Sequence, residues 1–300
     1  MNNARQKWLD ALGTPEYEIK YEPPTLLAKY DCNEFDGELY RQVNGRGKTQ
    51  RVIMAFPKGT KEKCPAVVVP FYIAEQLLGF DPADGRVYER YQKAPIMLDL
   101  IRRGYAVASA DAYHLTYYES DREKTDFARW GEAAAVLRKD HPNWSGVGKL
   151  VSDTKLVIGA LSSHPRVDAE RMGIAGFSLG GKMAFYTGCL DDRIRAILAV
   201  DFGIGWDQTN WRDTWYWGDQ LDELIAAGME HSSLLGSAAP KPMCLLAGAY
   251  DNEESWEIMK RAPGYKPDDG RLKMISYPGG HFPTREALEE GYDFLDRWLK

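Results

Sequence analysis

Gly176-Phe177-Ser178-Leu179-Gly180-Gly181 constrains this chain more than any other stretch. The short apolar run Arg171-Met172-Gly173-Ile174-Ala175 precedes it, and Lys182-Met183-Ala184-Phe185-Tyr186 follows in a helical pattern. A Gly-x-Ser-x-Gly segment between a strand and a helix reads as a nucleophile elbow. Such a turn brings backbones so close together that its neighbours must be small, and Gly176, Gly180 and Gly181 meet that demand. The helix behind Ser178 would offer unpaired N–H groups and a positive dipole end to a developing oxyanion. The plainer alternative is a glycine-rich turn carrying a solvated serine.

An activated serine needs a base, and the base needs an acid to orient it. Of the five histidines, at positions 114, 141, 164, 231 and 281, only His281 comes late in the chain. It follows a strand-like run, Leu272 to Tyr277, and the turn Pro278-Gly279-Gly280, just before a C-terminal helix starting near Pro283 and Thr284. Two carboxylates close apolar runs and compete for the acid. Asp251 ends Pro242 to Tyr250 and is favoured, because its run lies next to the one feeding His281. Asp201 ends Ile197 to Val200, and its alternative role is to cap a turn or order the segment after it. Glu253 and Glu254 read as helix-start residues.

Along the chain, residues 1–14 carry Trp8, Leu9 and Leu12 at helical spacing. Residues 17–22, 34–44 and 49–56 alternate as strands. Continuous apolar strands then alternate with amphipathic helices, with helical stripes at Ile96, Met97, Leu100 and Ile101, at Val147 to Leu161, and at Leu288, Tyr292, Leu295 and Leu299. This pattern predicts an α/β fold with a mostly parallel sheet covered on both faces. The length suits one such domain over 1–300, with 1–60 as its N-terminal helix and antiparallel strands and 202–241 as an insertion.

The segment Arg166 to Gly181, then Ala249-Tyr250-Asp251, then Gly279-Gly280-His281-Phe282 together resemble the α/β-hydrolase superfamily. Within it the chain is similar to bacterial dienelactone-hydrolase-like and acetyl-xylan-esterase-like serine esterases, from about Pro65 onward. The resemblance implies Ser178 as nucleophile, His281 as base and Asp251 as orienting acid. It also implies hydrolysis of carboxylic esters through an acyl-enzyme, without metal or organic cofactor. Two departures stand out. Dienelactone hydrolases proper use Cys where this chain has Ser178, and the His-Gly-Gly oxyanion motif of many lipases is absent. Leu179 N–H would be one oxyanion donor. A backbone N–H of Tyr72 or Ile73, in the loop after Val67-Val68-Val69, would be the other, with the Tyr72 hydroxyl as a lesser candidate.

Substrate choice is read from aromatic residues. Trp206, Trp211, Trp215, Tyr216 and Trp217 crowd twelve positions of the insertion, interleaved with Asp207, Asn210, Arg212 and Asp213. Flat rings beside short polar groups suit sugars, so Trp206, Trp211 and Trp215 are expected to contact a carbohydrate-linked acetyl or feruloyl ester. A cap packed on itself or a dimer surface would show the same composition. Tyr113, His114, Tyr117 and Tyr118 follow another strand, and Tyr113 is expected to line the pocket. Acyl transfer to another acceptor, small-ester hydrolysis, a prolyl-oligopeptidase-like peptidase and a non-catalytic binding protein are the rival functions.

A net charge of −6 and scattered basic residues argue against a nucleic-acid binder. No apolar run reaches the roughly 18 residues that span a bilayer. Residues 1–14 lack the apolar stretch of a signal peptide, so a cytoplasmic enzyme is favoured, although a mature secreted form would read the same. Cys32, Cys64, Cys189 and Cys244 show no Cys-x-x-Cys spacing, so neither a zinc site nor a disulfide framework is expected. The expected partner is a small-molecule or oligosaccharide ester; a homo-oligomer is compatible with the sequence.

Overall fold

The parallel strands are built from Val, Ile, Leu and Ala because both of their faces are covered. A computed structural model describes residues 2–117, 127–266 and 269–300. Its strands are β1 (Thr25–Asp31), β2 (Phe35–Gly45), β3 (Lys48–Pro57), β4 (Cys64–Val68), β5 (Ala106–Ala110), β6 (Val167–Phe177), β7 (Ile194–Val200), β8 (Met243–Ala247) and β9 (Leu272–Ser276). They form one sheet in the order β1-β2-β3-β5-β4-β6-β7-β8-β9. The first three strands pair antiparallel, β3 pairs antiparallel with β5, and every later pairing is parallel. This is the expected α/β architecture.

The helices are α1 (Asn2–Leu12), α2 (Ile96–Arg102), α3 (Tyr113–Tyr117), α4 (Phe127–Asp140), α5 (Gly146–Ser162), α6 (Leu179–Leu190), α7 (Leu221–Ala226), α8 (His231–Ser237), α9 (Glu253–Lys260) and α10 (Arg285–Leu299). One core cluster joins the sheet to α5 and α6, and a second joins it to α2 and α10. The stripe read from the sequence in the last helix, Leu288, Tyr292, Leu295 and Leu299, is fully buried. The first strand departs from expectation, since residues 17–22 form no strand. Pro23 and Pro24 cannot donate to a ladder, so pairing begins after them. The alternation there serves other contacts: the Tyr17 hydroxyl accepts the Arg46 N–H, and the Tyr21 ring lies against Gly159.

His114 in α3 is buried, with its ring stacked on Trp130 at 3.9 Å between centroids. Neither ring nitrogen has a hydrogen-bond partner among the described residues. Burial, aided by the Arg129 charge, pushes its pKa down to about 3, so the folded ring stays neutral. The unfolded ring takes up a proton near pH 6.5. Stability from this site is therefore fully present above about pH 6.5 and declines as pH falls toward the folded value. His114→Phe keeps the stacking and removes the unpaired nitrogens. In urea unfolding it should gain about 1–3 kcal/mol at pH 8 and lose less stability than the parent between pH 8 and pH 5. Equal losses would show that the ring is not the acid-sensitive element.

Candidate active site

The elbow forms where the sequence places it. Ser178 sits between β6 and α6 with φ 58° and ψ −116°, a conformation that L-residues rarely adopt. The flanking glycines make room for it. A Cβ on Gly176 would lie 2.0 Å from the Gly180 carbonyl oxygen, and one on Gly180 would lie 2.2 Å from that of Pro70. The second contact seats the start of α6 against the loop after β4, which carries Tyr72.

His281 reaches Ser178 from the loop after β9. Its Nε2 is 2.9 Å from Ser178 Oγ, and its Nδ1 is 2.7 Å from Asp201 Oδ2. Asp201, and not the favoured Asp251, is therefore the carboxylate on the imidazole. The reason lies in where the ring must sit. A histidine that touches a serine at the end of β6 has crossed β8, and the carboxylate beneath it belongs to β7, the neighbour of β6. Asp251 instead accepts the N–H groups of Phe202, Gly203 and Ile204 and the hydroxyl of Ser255. Asp201 accepts those of Gly248, Ala249, Tyr250 and Asp251. Burial favours the neutral form of Asp201, but the bonds from His281 and the backbone outweigh it and hold the carboxyl below the usual range. Asp251 goes the other way, raised chiefly by burial.

Neither Leu179 N–H nor Tyr72 N–H donates to a protein acceptor among the described residues, so both are free for an oxyanion. The Tyr72 carbonyl accepts the Ala112 N–H, which fixes that loop to the end of β5, and Tyr72 lines the same cleft as Ser178. Above Ser178 opens a cleft of about 610 Å³, with Phe71, Tyr72 and Tyr91 on one wall and Thr209, Asn210, Asp213, Trp215 and Tyr216 on the other. Arg90 and Tyr250 complete its rim beside His281. The arrangement can remove a proton from a serine hydroxyl while presenting donors to a carbonyl oxygen.

A profile of the dienelactone hydrolase family matches residues 51–204, just over half of the chain. The chain belongs to that family. The matched stretch includes the elbow and Asp201 and stops before Asp251 and His281. Over 277 residues it is 26% identical to the "Putative hydrolase YtaP" of Bacillus subtilis (strain 168), covering 87% of each chain. Among solved structures it superposes on a glucuronoyl esterase from Solibacter usitatus with a TM-score of 0.69 and 13% identity, covering 97% of this chain and 91% of that one. A Bacteroides fragilis NCTC 9343 protein described as a putative acetyl xylan esterase gives a TM-score of 0.70 at 16% identity, covering 92% and 74%. The fold is that of the α/β-hydrolases, shared with these esterases, and the family is one of hydrolases.

Within this dienelactone hydrolase family member the aromatic insertion does not behave as its composition suggests. Trp215 lines the cleft, but Trp206, Trp211 and Tyr113 do not. Trp211 is fully buried and its Nε1 donates to the Gly203 carbonyl at 2.7 Å. Trp206 donates to the Met229 carbonyl and packs against Trp8 of α1 and His231 of α8. Tyr113 is buried, its hydroxyl donating to the Trp215 carbonyl, so it supports the cleft wall from behind. The partner surface these rings needed came from α8, at the far end of the insertion, and from α1, far away in sequence. Tyr118 lies outside the described residues.

Sequence reasoning also passed over Lys182. It lies one helical turn beyond Ser178, buried, with Nζ 2.9 Å from Asn210 Oδ1 and over the rings of Trp211 and Tyr216. Burial lowers its pKa to about 7. The available signal was a single lysine inside an otherwise apolar helix. As a core residue, Trp211→Ala should cost about 3–5 kcal/mol in urea unfolding. A loss under 1 kcal/mol, accompanied by a substrate-dependent drop in activity, would return Trp211 to the substrate site.

Proposed function

We propose that this chain is a serine esterase that cleaves carbohydrate-linked acyl esters, of acetyl or feruloyl type, through an acyl-enzyme. The observation that carries the reading is the continuous Asp201–His281–Ser178 hydrogen-bond relay beneath an open cleft. His281 Nε2 takes the proton of Ser178 as Oγ attacks the ester carbonyl. Asp201 holds the Nδ1 proton in place and stabilises the imidazolium. The carbonyl oxygen, now negative, is received by the N–H groups of Leu179 and Tyr72, with the Tyr72 hydroxyl close by. The imidazolium then gives its proton to the leaving alcohol oxygen. Water, deprotonated by His281, attacks the acyl-enzyme and restores Ser178.

The carbohydrate half of the proposal draws support from the cleft wall. Trp215 offers a ring face, and Thr209, Asn210 and Asp213 set short donors and acceptors beside it. A sugar presents C–H faces and a rim of hydroxyls, and such a wall suits both. Asn210 is itself held from behind by Lys182, so its amide is oriented before substrate arrives.

Ser178→Ala should abolish p-nitrophenyl acetate hydrolysis and labelling by a fluorophosphonate probe while the circular dichroism stays unchanged. Asp201→Asn should lower kcat by about 10³–10⁴, because the imidazole would be held in the wrong tautomer. A Ser178 variant that retained most activity would remove the basis for the mechanism. Trp215→Ala should lower kcat/KM for an acetylated xylo-oligosaccharide about ten-fold, the effect of 1–2 kcal/mol of ring contact. It should leave the p-nitrophenyl ester within two-fold. Equal losses on both esters would place the sugar elsewhere.

A further inference from the structure

The loops after β7 and β8 are tied together by two carboxylates that each cap the other's backbone. Asp201 has φ 43°, in the left-handed region. Its carboxylate takes four N–H groups from residues 248–251 and the Nδ1 of His281. Asp251 takes the N–H groups of the three residues directly after Asp201, at 2.8, 2.9 and 2.8 Å, plus the Ser255 hydroxyl at 2.9 Å. Both residues are buried. A second buried carboxylate so close to the first is costly, and a simple turn could have been capped by an uncharged side chain. The buried Lys182 ammonium is close enough that the Asp251 charge acts on it.

We infer that Asp251 is a positioning residue for the hydrolytic reaction: by capping residues 202–204 it holds Asp201 in the one backbone conformation that meets His281, and its charge, partly balanced by Lys182, adds to the field on the imidazole. The inference rests on the proposed role of the relay. Three short bonds pin the segment immediately after Asp201, the Ser255 hydroxyl holds the carboxylate that makes them, and a left-handed residue persists only where its surroundings over-determine it. Releasing them lets Asp201 turn away from Nδ1. The imidazole then loses orientation, which lowers turnover more than substrate binding. The charge has a separate consequence. Removing a negative group makes the imidazolium less favourable, so the acid limb of the kcat/KM profile moves to lower pH. The other titratable groups near the imidazole are Tyr250, whose ring packs on it, Tyr72, Arg90 and Asp213, which line the same cleft, and Tyr277, whose hydroxyl donates to the His281 carbonyl. None of these changes in the variants below.

The test compares Asp251→Asn, Ser255→Ala and Lys182→Met with the parent on p-nitrophenyl acetate from pH 5 to pH 9, with Asp201→Asn alongside. Asp251→Asn should lower kcat about 10- to 100-fold, leave KM within two-fold, and shift the acid limb to lower pH. Ser255→Ala, which removes one cap but no charge, should lower kcat a few-fold with the limb unmoved. Lys182→Met should move the limb to higher pH. Activity of Asp251→Asn within two-fold of the parent, or a loss without movement of the limb, would overturn the inference. Should Asp251→Asn not fold, Lys182→Met decides: an unmoved limb overturns the inference, and a rise supports it. Full activity in Asp201→Asn would instead bring down the relay itself, an outcome distinct from all of these.

Discussion

Everything at this site follows from one strained residue. Ser178 occupies a left-handed conformation at the junction of a buried strand and a buried helix. It can remain there only because Gly176 and Gly180 let the turn close on itself and let α6 press on the loop after β4. That pressure has a chemical consequence. The same close approach that exposes the serine also brings the Tyr72 loop to the same cleft, so a single packing event places Ser178 and Tyr72 side by side. The cost of the strain is met by the surrounding core, which is apolar on both faces of the sheet.

Around this point the fold spends its polar groups sparingly. Asp201, Asp251, Lys182 and His231 are all buried within the space between the strand ends and the insertion. Each has defined partners: backbone N–H groups, an amide, a phenol or a carbonyl. Desolvation pushes Lys182 and His231 down and Asp251 up, whereas Asp201 goes down because its hydrogen bonds outweigh burial. Of the two carboxylates, the one held most firmly in its charged form is the one that faces the imidazole. That difference is what an orienting acid requires.

The insertion shows how composition can mislead. A run of tryptophans beside short polar residues resembles a sugar platform, and one of them, Trp215, does face the cleft. Trp206, Trp211 and Trp217 instead build a small aromatic core with Trp8 and His231, closing the gap between α1, α6 and α8. The polar residues between them divide in the same way. Asn210 and Asp213 reach the cleft, while Arg212 pairs with Asp222 at the surface. Ring type alone carries no information about which side meets solvent, because the partner surfaces come from separate elements, α6 before the insertion, α8 at its far end and α1 about two hundred residues away.

What was legible in the sequence was local or periodic. The elbow is written in three glycines around one serine, the parallel sheet in uninterrupted apolar strands, and His281 in its glycine turn before the last helix. These features depend on steric rules that act over a few residues. The acid was not legible. Asp201 and Asp251 both end apolar strands, and the structure puts Asp201, not the favoured Asp251, against the imidazole. Strand order could be guessed, but the reach of the His281 loop across β8 to the end of β6 could not. Which carboxylate lies under an imidazole is a matter of a few ångströms between loops eighty residues apart in sequence, and only the folded chain sets that distance.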